Sequence, residues 1–345
     1  VLGGNQRLAA IRKLGMKDIP DDWAIAATDL TPEQQKEFVL RDNVQLGDWD
    51  FEMLSAEFGE FDFDEIGMDM PEIDVTPPEA TDDDFDEPDI QTVQTDIKRG
   101  DIIEIGRHRL MCGDSTSESD VAMLMNGQKA DMVLTDPPYN TGMAKNKNAK
   151  ARLSHMFSDN FTEEQWDKLL ESMCSAIRKN TKNDCAMYVF IDWRRLHEIK
   201  NALASLFAVK NVIVWDKMVH GLGSDYKSTY ENIVVAKKGD PKINNRIEKD
   251  YQDIWHVQRK IGRDSDRATK KPIEILQKPI LHASNKKSMV LDLFLGSGST
   301  MVACHQLDRT CYGMEISEQY CQVIVDRMRK LDSSIEIKIN GEIYV

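Results

Sequence analysis

The sequence predicts an α/β fold, a doubly wound and mostly parallel Rossmann-like sheet, on three observations. From residue 97 onward, short apolar runs alternate with stretches of helical spacing, the pattern of strands joined by crossover helices. The apolar run Met132-Val133-Leu134 leads into Asp136-Pro137-Pro138-Tyr139. A second apolar run, residues 289–294, leads into Gly296-Ser297-Gly298-Ser299-Thr300. In such a sheet ligands sit beyond the carboxyl ends of the strands, and both motifs occupy that position.

The elements follow in order. The chain opens on Val1, which reads as the loss of an upstream portion, and its first 15 residues have amphipathic helical spacing. Residues 31–46 read as a helix with Thr31 as N-cap, Pro32 at the first helical position and Gln34 placed for a capping box. Residues 57–96 are acidic and carry Pro71, Pro77, Pro78 and Pro88, a composition that reads as a flexible linker. Strands are expected at 102–105, 109–112, 132–135, 186–191, 212–215, 233–236, 289–294 and 310–314. Helices are expected at 121–125, 163–179, 194–206, 273–282 and 318–330. The domains are therefore 1–56, the linker 57–96, and 97–345.

The net charge of −15 is local. Residues 57–89 hold 15 Asp or Glu and no Lys or Arg, and without them the remaining acids equal the 44 Lys and Arg residues. Positive charge gathers at Lys145, Lys147, Lys150 and Arg152, and again around Arg259 and Arg263, where it could track phosphates. Residues 217–268, with Lys217, read as a target-recognition insert. The six cysteines show no Cys-x-x-Cys pair, so no metal site is expected and free thiols of a cytoplasmic protein are. No apolar stretch reaches the ~18 residues of a membrane span.

The chemistry is legible in the two motifs. Asp136 and the carbonyl of Pro137 are acceptors for a planar amino group, Pro138 stiffens the turn, and Tyr139 offers a ring on which a base could stack. The glycines Gly296 and Gly298 let the backbone approach a ligand, and Glu315 follows at the spacing expected for a carboxylate on ribose hydroxyls. A P-loop would need Gly-Lys-Ser/Thr and a dinucleotide fingerprint a third glycine; both are absent. The chain has no Pro-Cys dipeptide, so covalent catalysis by a cysteine of that motif is not expected.

On these residues, the span 99–330 resembles the β class of amino-group DNA methyltransferases, in which Asp-Pro-Pro-Tyr precedes Phe-x-Gly-x-Gly as it does here. The resemblance implies a class I methyltransferase fold, S-adenosylmethionine as cofactor, DNA as partner, and methylation of adenine N6, with cytosine N4 as the alternative. It implies catalysis by Asp136, Pro137, Pro138 and Tyr139. It also implies cofactor contacts from Asp114, Lys271, Pro272, Asp292, Phe294, Gly296, Ser297, Gly298, Thr300 and Glu315. The family's His-Pro-Thr-Gln-Lys-Pro run is reduced here to Arg267-Ala268-Thr269-Lys270-Lys271-Pro272. Asp at the motif's first position favours adenine. A non-catalytic DNA-binding regulator on the same fold is the reading from another class. Homodimerisation and a separately encoded restriction nuclease are further expectations. Residues 1–56 resemble the helical tail of a ParB-like domain at Gly3 and Arg7, without the strands that precede that tail.

Overall fold

The structure is a computed structural model. It describes residues 11–15, 20, 23, 29–43, 80–141, 161–219, 225–241, 243, 252–259 and 270–344. Lys145, Lys147, Lys150, Arg152 and Arg263 therefore lie outside the described residues, as do Gly3 and Arg7.

The chain divides into two units, Val1–Val75 and Thr76–Val345. In the first, helix α1 (Pro32–Asn43) begins where its sequence says. Thr31 N donates to Gln34 Oε1 at 2.9 Å and Gln34 N to Thr31 Oγ1 at 3.3 Å, the two bonds of a capping box.

The second unit is built on one sheet. Its strands are β1 (Ile102–Ile105), β2 (His108–Cys112), β3 (Ala130–Thr135), β4 (Thr181–Ile191), β5 (Ala208–Asp216), β6 (Tyr230–Lys238), β7 (Ile254–His256), β8 (Met289–Asp292), β9 (Thr310–Glu315), β10 (Ile337–Ile339) and β11 (Glu342–Ile343). Its helices are α2 (Glu118–Met125), α3 (Glu163–Asn180), α4 (Leu196–Ala204), α5 (Ile273–Ala283), α6 (Ser299–Gln306) and α7 (Glu318–Leu331). The strand order is β11-β10-β1-β2-β9-β8-β3-β4-β6-β5-β7. The block β2-β9-β8-β3-β4 is parallel throughout.

Antiparallel pairings flank this parallel block. β1, β10 and β11 are added antiparallel, and β6 runs antiparallel between β4 and β5. For the pairs β1–β2 and β10–β11 the reason is connection length: a two-residue link cannot carry a crossover helix. Asn340-Gly341, at φ 51° and 87°, forms the hairpin turn between β10 and β11. β6 also lies inside the span expected as an insert, yet it is an integral strand of the main sheet.

Side chains leave the strands alternately to two faces. Leu110, Met132, Leu134, Tyr188 and Phe190 pack with α5, α6 and α7 through residues such as Ile273, Leu276, Met301 and Ile324. Met111, Val133, Met187, Val189 and Leu291 pack on the other face against α2, α3 and α4 through Leu124, Trp166, Met173 and Ile199. Each fully buried aliphatic side chain contributes about 1.5–3 kcal/mol. This two-faced burial is what fixes strand register, and with it the positions of the loops at the carboxyl edge. α3 starts on a full capping box, Thr162 with Gln165.

One expected linker segment is structured instead. Residues 80–96, the second half of the span read as a flexible spacer, are held against the sheet unit by bonds such as Ala80 N to Gln277 Oε1 (2.7 Å) and Thr95 Oγ1 to Gln322 Oε1 (2.9 Å). One of their acids, Asp83, has the cationic partners Arg327 and Lys270 on the folded body, which composition alone does not reveal. Among the described residues no helix is long and apolar enough to cross a membrane.

Candidate active site

β3 and β8 are parallel neighbours, registered Met132 to Val290 and Val133 to Leu291, so the two motifs emerge side by side. Thr135 Oγ1 donates to Asp292 Oδ1 at 2.8 Å and accepts from Leu293 N at 3.2 Å, stitching the strand ends together. Asp292 also accepts from Phe294 N (3.0 Å) and from the Thr300 hydroxyl. Burial pushes its carboxyl up to about 6, against the pull of those bonds. Asp292 thus shapes the loop as well as facing the cavity.

The loop that follows requires glycine. Gly296 and Gly298 adopt φ of 55° and 87°, and a Cβ on Gly298 would stand 3.0 Å from Ile324. Gly296 N donates to Glu315 Oε2 and Ser317 N to Glu315 Oε1, both at 2.9 Å. Burial raises the Glu315 carboxyl to about 7 despite these bonds.

A cavity of about 550 Å³ opens at this edge. Of the residues expected to hold a cofactor, Asp114, Lys271, Asp292, Phe294, Gly296, Ser297, Thr300 and Glu315 are on its wall, together with Asp136 and Pro138. Pro137, Tyr139, Pro272 and Gly298 are not. Asp114 Oδ1 accepts from Thr116 N (2.8 Å) and Thr116 Oγ1 (2.7 Å), which sets its carboxylate at the mouth of the turn after β2.

Behind Asp136 lies a charge network that the sequence did not suggest. Lys271 Nζ is 2.6 Å from Asp136 Oδ2, 3.1 Å from Tyr139 Oη and 3.1 Å from Glu231 Oε2. Its charge also sits 4.9 Å from the centre of the Phe190 ring. Burial would lower the Lys271 pKa, but Asp136 and Glu231 raise it further than burial depresses it. The Tyr139 hydroxyl has a single proton, to share between Asp136 Oδ1 (2.5 Å) and Glu231 Oε2 (3.1 Å). Burial and those two carboxylates raise its pKa well above the ordinary value. Glu231 in turn faces Lys217 at 3.5 Å and Arg259 at 3.8 Å. Burial raises its pKa, yet Lys271, Lys217 and Arg259 outweigh burial and hold it at about 2.

Lys217, Arg259 and Tyr139 differ from their expected settings. Lys217, expected on DNA, is 7% exposed and turned inward onto Glu231, since an amino group that far from water needs an anion. Arg259 points the same way, with 21% of its side chain exposed. Tyr139, expected as an exposed loop residue, is half-buried, with its ring packed against both cores. Lys271, expected on the cofactor, is on the cavity wall and also clamps Asp136. Glu231 was missed; the signal for it was an acid at the start of an otherwise apolar strand, a place where burial demands a partner.

The model of the N6_N4_Mtase family of DNA methylases matches residues 130–326, more than half of the chain, and the chain belongs to that family of amino-group DNA methyltransferases. Among individual relatives it is 28% identical over 213 residues to the Escherichia coli protein YubD, covering 61% of this chain and 86% of YubD. The Type II methyltransferase M.HinfI of Haemophilus influenzae is 23% identical over 236 residues, 59% of this chain and 64% of M.HinfI. The DNA adenine methyltransferase YhdJ of Escherichia coli is 24% identical over 238 residues, 59% of this chain and 77% of YhdJ.

Proposed function

We propose that this methyltransferase acts on the N6 amino group of adenine in DNA, with S-adenosylmethionine as donor and Asp136 as the group that grips the amino nitrogen. The observation that carries this reading is the shared wall: Asp136 and Pro138 face the same cavity as the glycine loop and Glu315. Its size is within the usual range for a small-molecule site. The chemistry of the lining supports a nucleoside: the Glu315 carboxylate is an acceptor for ribose hydroxyls and the Asp114 carboxylate an acceptor for an adenine edge. When bound, the cofactor supplies an electrophilic methyl group on a sulfonium.

An exocyclic amino nitrogen is a poor nucleophile because its lone pair is conjugated into the ring. Asp136 and the Pro137 carbonyl accept its two hydrogens, which favours a pyramidal nitrogen with its lone pair free for in-line attack. Lys271 occupies one oxygen of Asp136 and has a second anion, Glu231, already within 3.1 Å. The arriving amino group displaces Lys271 from Asp136 onto Glu231, so the cation is not stranded. The proton that leaves the methylated nitrogen has Asp136 as its first acceptor. The Tyr139 ring supports the base once it has left the stack.

Asp at the first position of the motif, and the relationship to YhdJ, support adenine over cytosine. Mass spectrometry of nucleosides from DNA incubated with the protein and S-adenosylmethionine tests the choice. N6-methyladenine is expected; N4-methylcytosine in its place would overturn the base assignment while leaving the amino-group chemistry intact.

A further inference from the structure

Between α1 and β1 the chain is at its most acidic, and residues 80–87 of that stretch are fastened at every turn. Asp82 Oδ1 accepts from Ile273 N, the first residue of α5, at 3.1 Å. Gln306 Nε2 of α6 donates to Thr81 O at 3.0 Å. Asp83 meets Arg327 of α7 through two bonds, Nε to Oδ2 at 2.5 Å and Nη2 to Oδ1 at 3.0 Å, and Lys270 at 3.0 Å. The side chains of Arg327 and Asp83 are 0% and 2% exposed. A bidentate pair so far from water has one geometry and is costly to separate. The Phe85 ring then lies 5.8 Å from the Arg327 guanidinium and 5.7 Å from Lys330.

The same guanidinium has a third nitrogen, and it faces the glycine loop. Arg327 Nη1 donates to Ser297 O at 2.8 Å and to Ser299 Oγ at 3.1 Å. The loop's conformation therefore has two supports: the positive φ of Gly296 and Gly298, and an arginine whose orientation is set by Asp83. Two residues beyond Phe85, Glu87 reaches the wall of the cavity and bonds Tyr320 near Glu315. The segment thus runs from the start of α5, next to Lys271, across to α7 behind the loop, and ends on the cavity rim.

We propose that residues 80–87 are a strap belonging to the cofactor site: Asp83 positions Arg327, Arg327 holds the Ser297–Ser299 turn, and Glu87 completes the rim beside Glu315. The strap rests on the reading of the cavity as the S-adenosylmethionine site. Asp83 and Arg327 are positioning residues, and their effect belongs to cofactor affinity rather than to DNA.

The test is calorimetric titration of the full chain with S-adenosylmethionine, alongside steady-state kinetics. Failure of the wild-type protein to bind would fall on the cofactor reading and not on the strap. With binding established, Asp83→Asn is expected to weaken cofactor affinity and raise the KM for S-adenosylmethionine by about tenfold, with kcat and the KM for DNA moving far less. Because that variant leaves a buried guanidinium short of its anion, the paired change Asp83→Leu with Arg327→Met serves beside it, since an apolar pair preserves packing. It is expected to show the same selective loss. Glu87→Gln is expected to weaken cofactor binding by about threefold or more through loss of a charged acceptor. Wild-type cofactor affinity in the paired variant and in Glu87→Gln, each cooperatively folded, would overturn the proposal.

Discussion

Lys271 bridges two carboxylates, standing 2.6 Å from Asp136 and 3.1 Å from Glu231. One cation therefore links the residue proposed to grip the substrate, after β3, to a buried acid on β6, two strands away. Glu231→Gln removes the anion shared by Lys271, Lys217 and Arg259. Urea denaturation should show a loss of about 3 kcal/mol, the scale for breaking a buried ion pair from one side. Methyl transfer should fall as well, because Lys271 then has no second anion to move to. Unchanged stability and turnover would remove Glu231 from the network.

Acid titration probes the same residue. The folded pKa of Glu231, and that of Asp83, is held down at about 2, below the ordinary carboxylate range. A depressed carboxylate adds stability that is full above about pH 4 and is lost as pH falls toward 2. The wild-type protein should lose stability over that window more steeply than Glu231→Gln, as read by denaturation midpoints at a series of pH values.

Glu315 has the opposite sign. Its folded pKa of about 7 exceeds the unfolded value, so the proton stabilises the folded form, and this contribution is lost as pH rises from about 4 to 7. Ribose hydroxyls need the ionised acceptor. Affinity for S-adenosylmethionine should therefore increase as pH climbs through about 7, and Glu315→Gln should bind weakly with that dependence flattened. A pH-independent affinity in the wild-type protein would separate Glu315 from the ligand.

Tyr139 has two separable parts. Tyr139→Phe removes the hydroxyl that meets Asp136, Glu231 and Lys271 but keeps the ring, and should lower kcat by about tenfold with little change in the KM for DNA. Tyr139→Ala also removes the stacking surface, worth about 1–3 kcal/mol per base, and should weaken productive DNA binding in addition. Equal behaviour of the two variants would assign the ring no role beyond packing.

The parallel centre of the sheet was legible because its strands are continuous apolar runs and its helices carry one apolar face. Asp136 and Gly296 could be placed at one edge because each ends such a run. The antiparallel flanks were harder: 102–105 and 109–112 read as strands, but direction is set by the short link through Gly106, and the Asn340-Gly341 hairpin signal passed unread. The inward turn of Lys217 depends on Glu231, 14 residues away and on another strand. Asp83 finds Arg327 across 244 residues. Composition sees an exposed charge in both cases, because the partner that permits burial arrives only with tertiary structure.

The most direct measurement is transfer of a labelled methyl group from S-adenosylmethionine to DNA by the wild-type protein and by Asp136→Ala, with cofactor affinity measured for both. The wild-type protein should label the amino group of adenine. Asp136→Ala should bind the cofactor comparably and lose about a hundredfold or more in rate, the scale for removing one preorganised hydrogen-bonding group from a reacting centre. Undiminished transfer by Asp136→Ala would contradict the account.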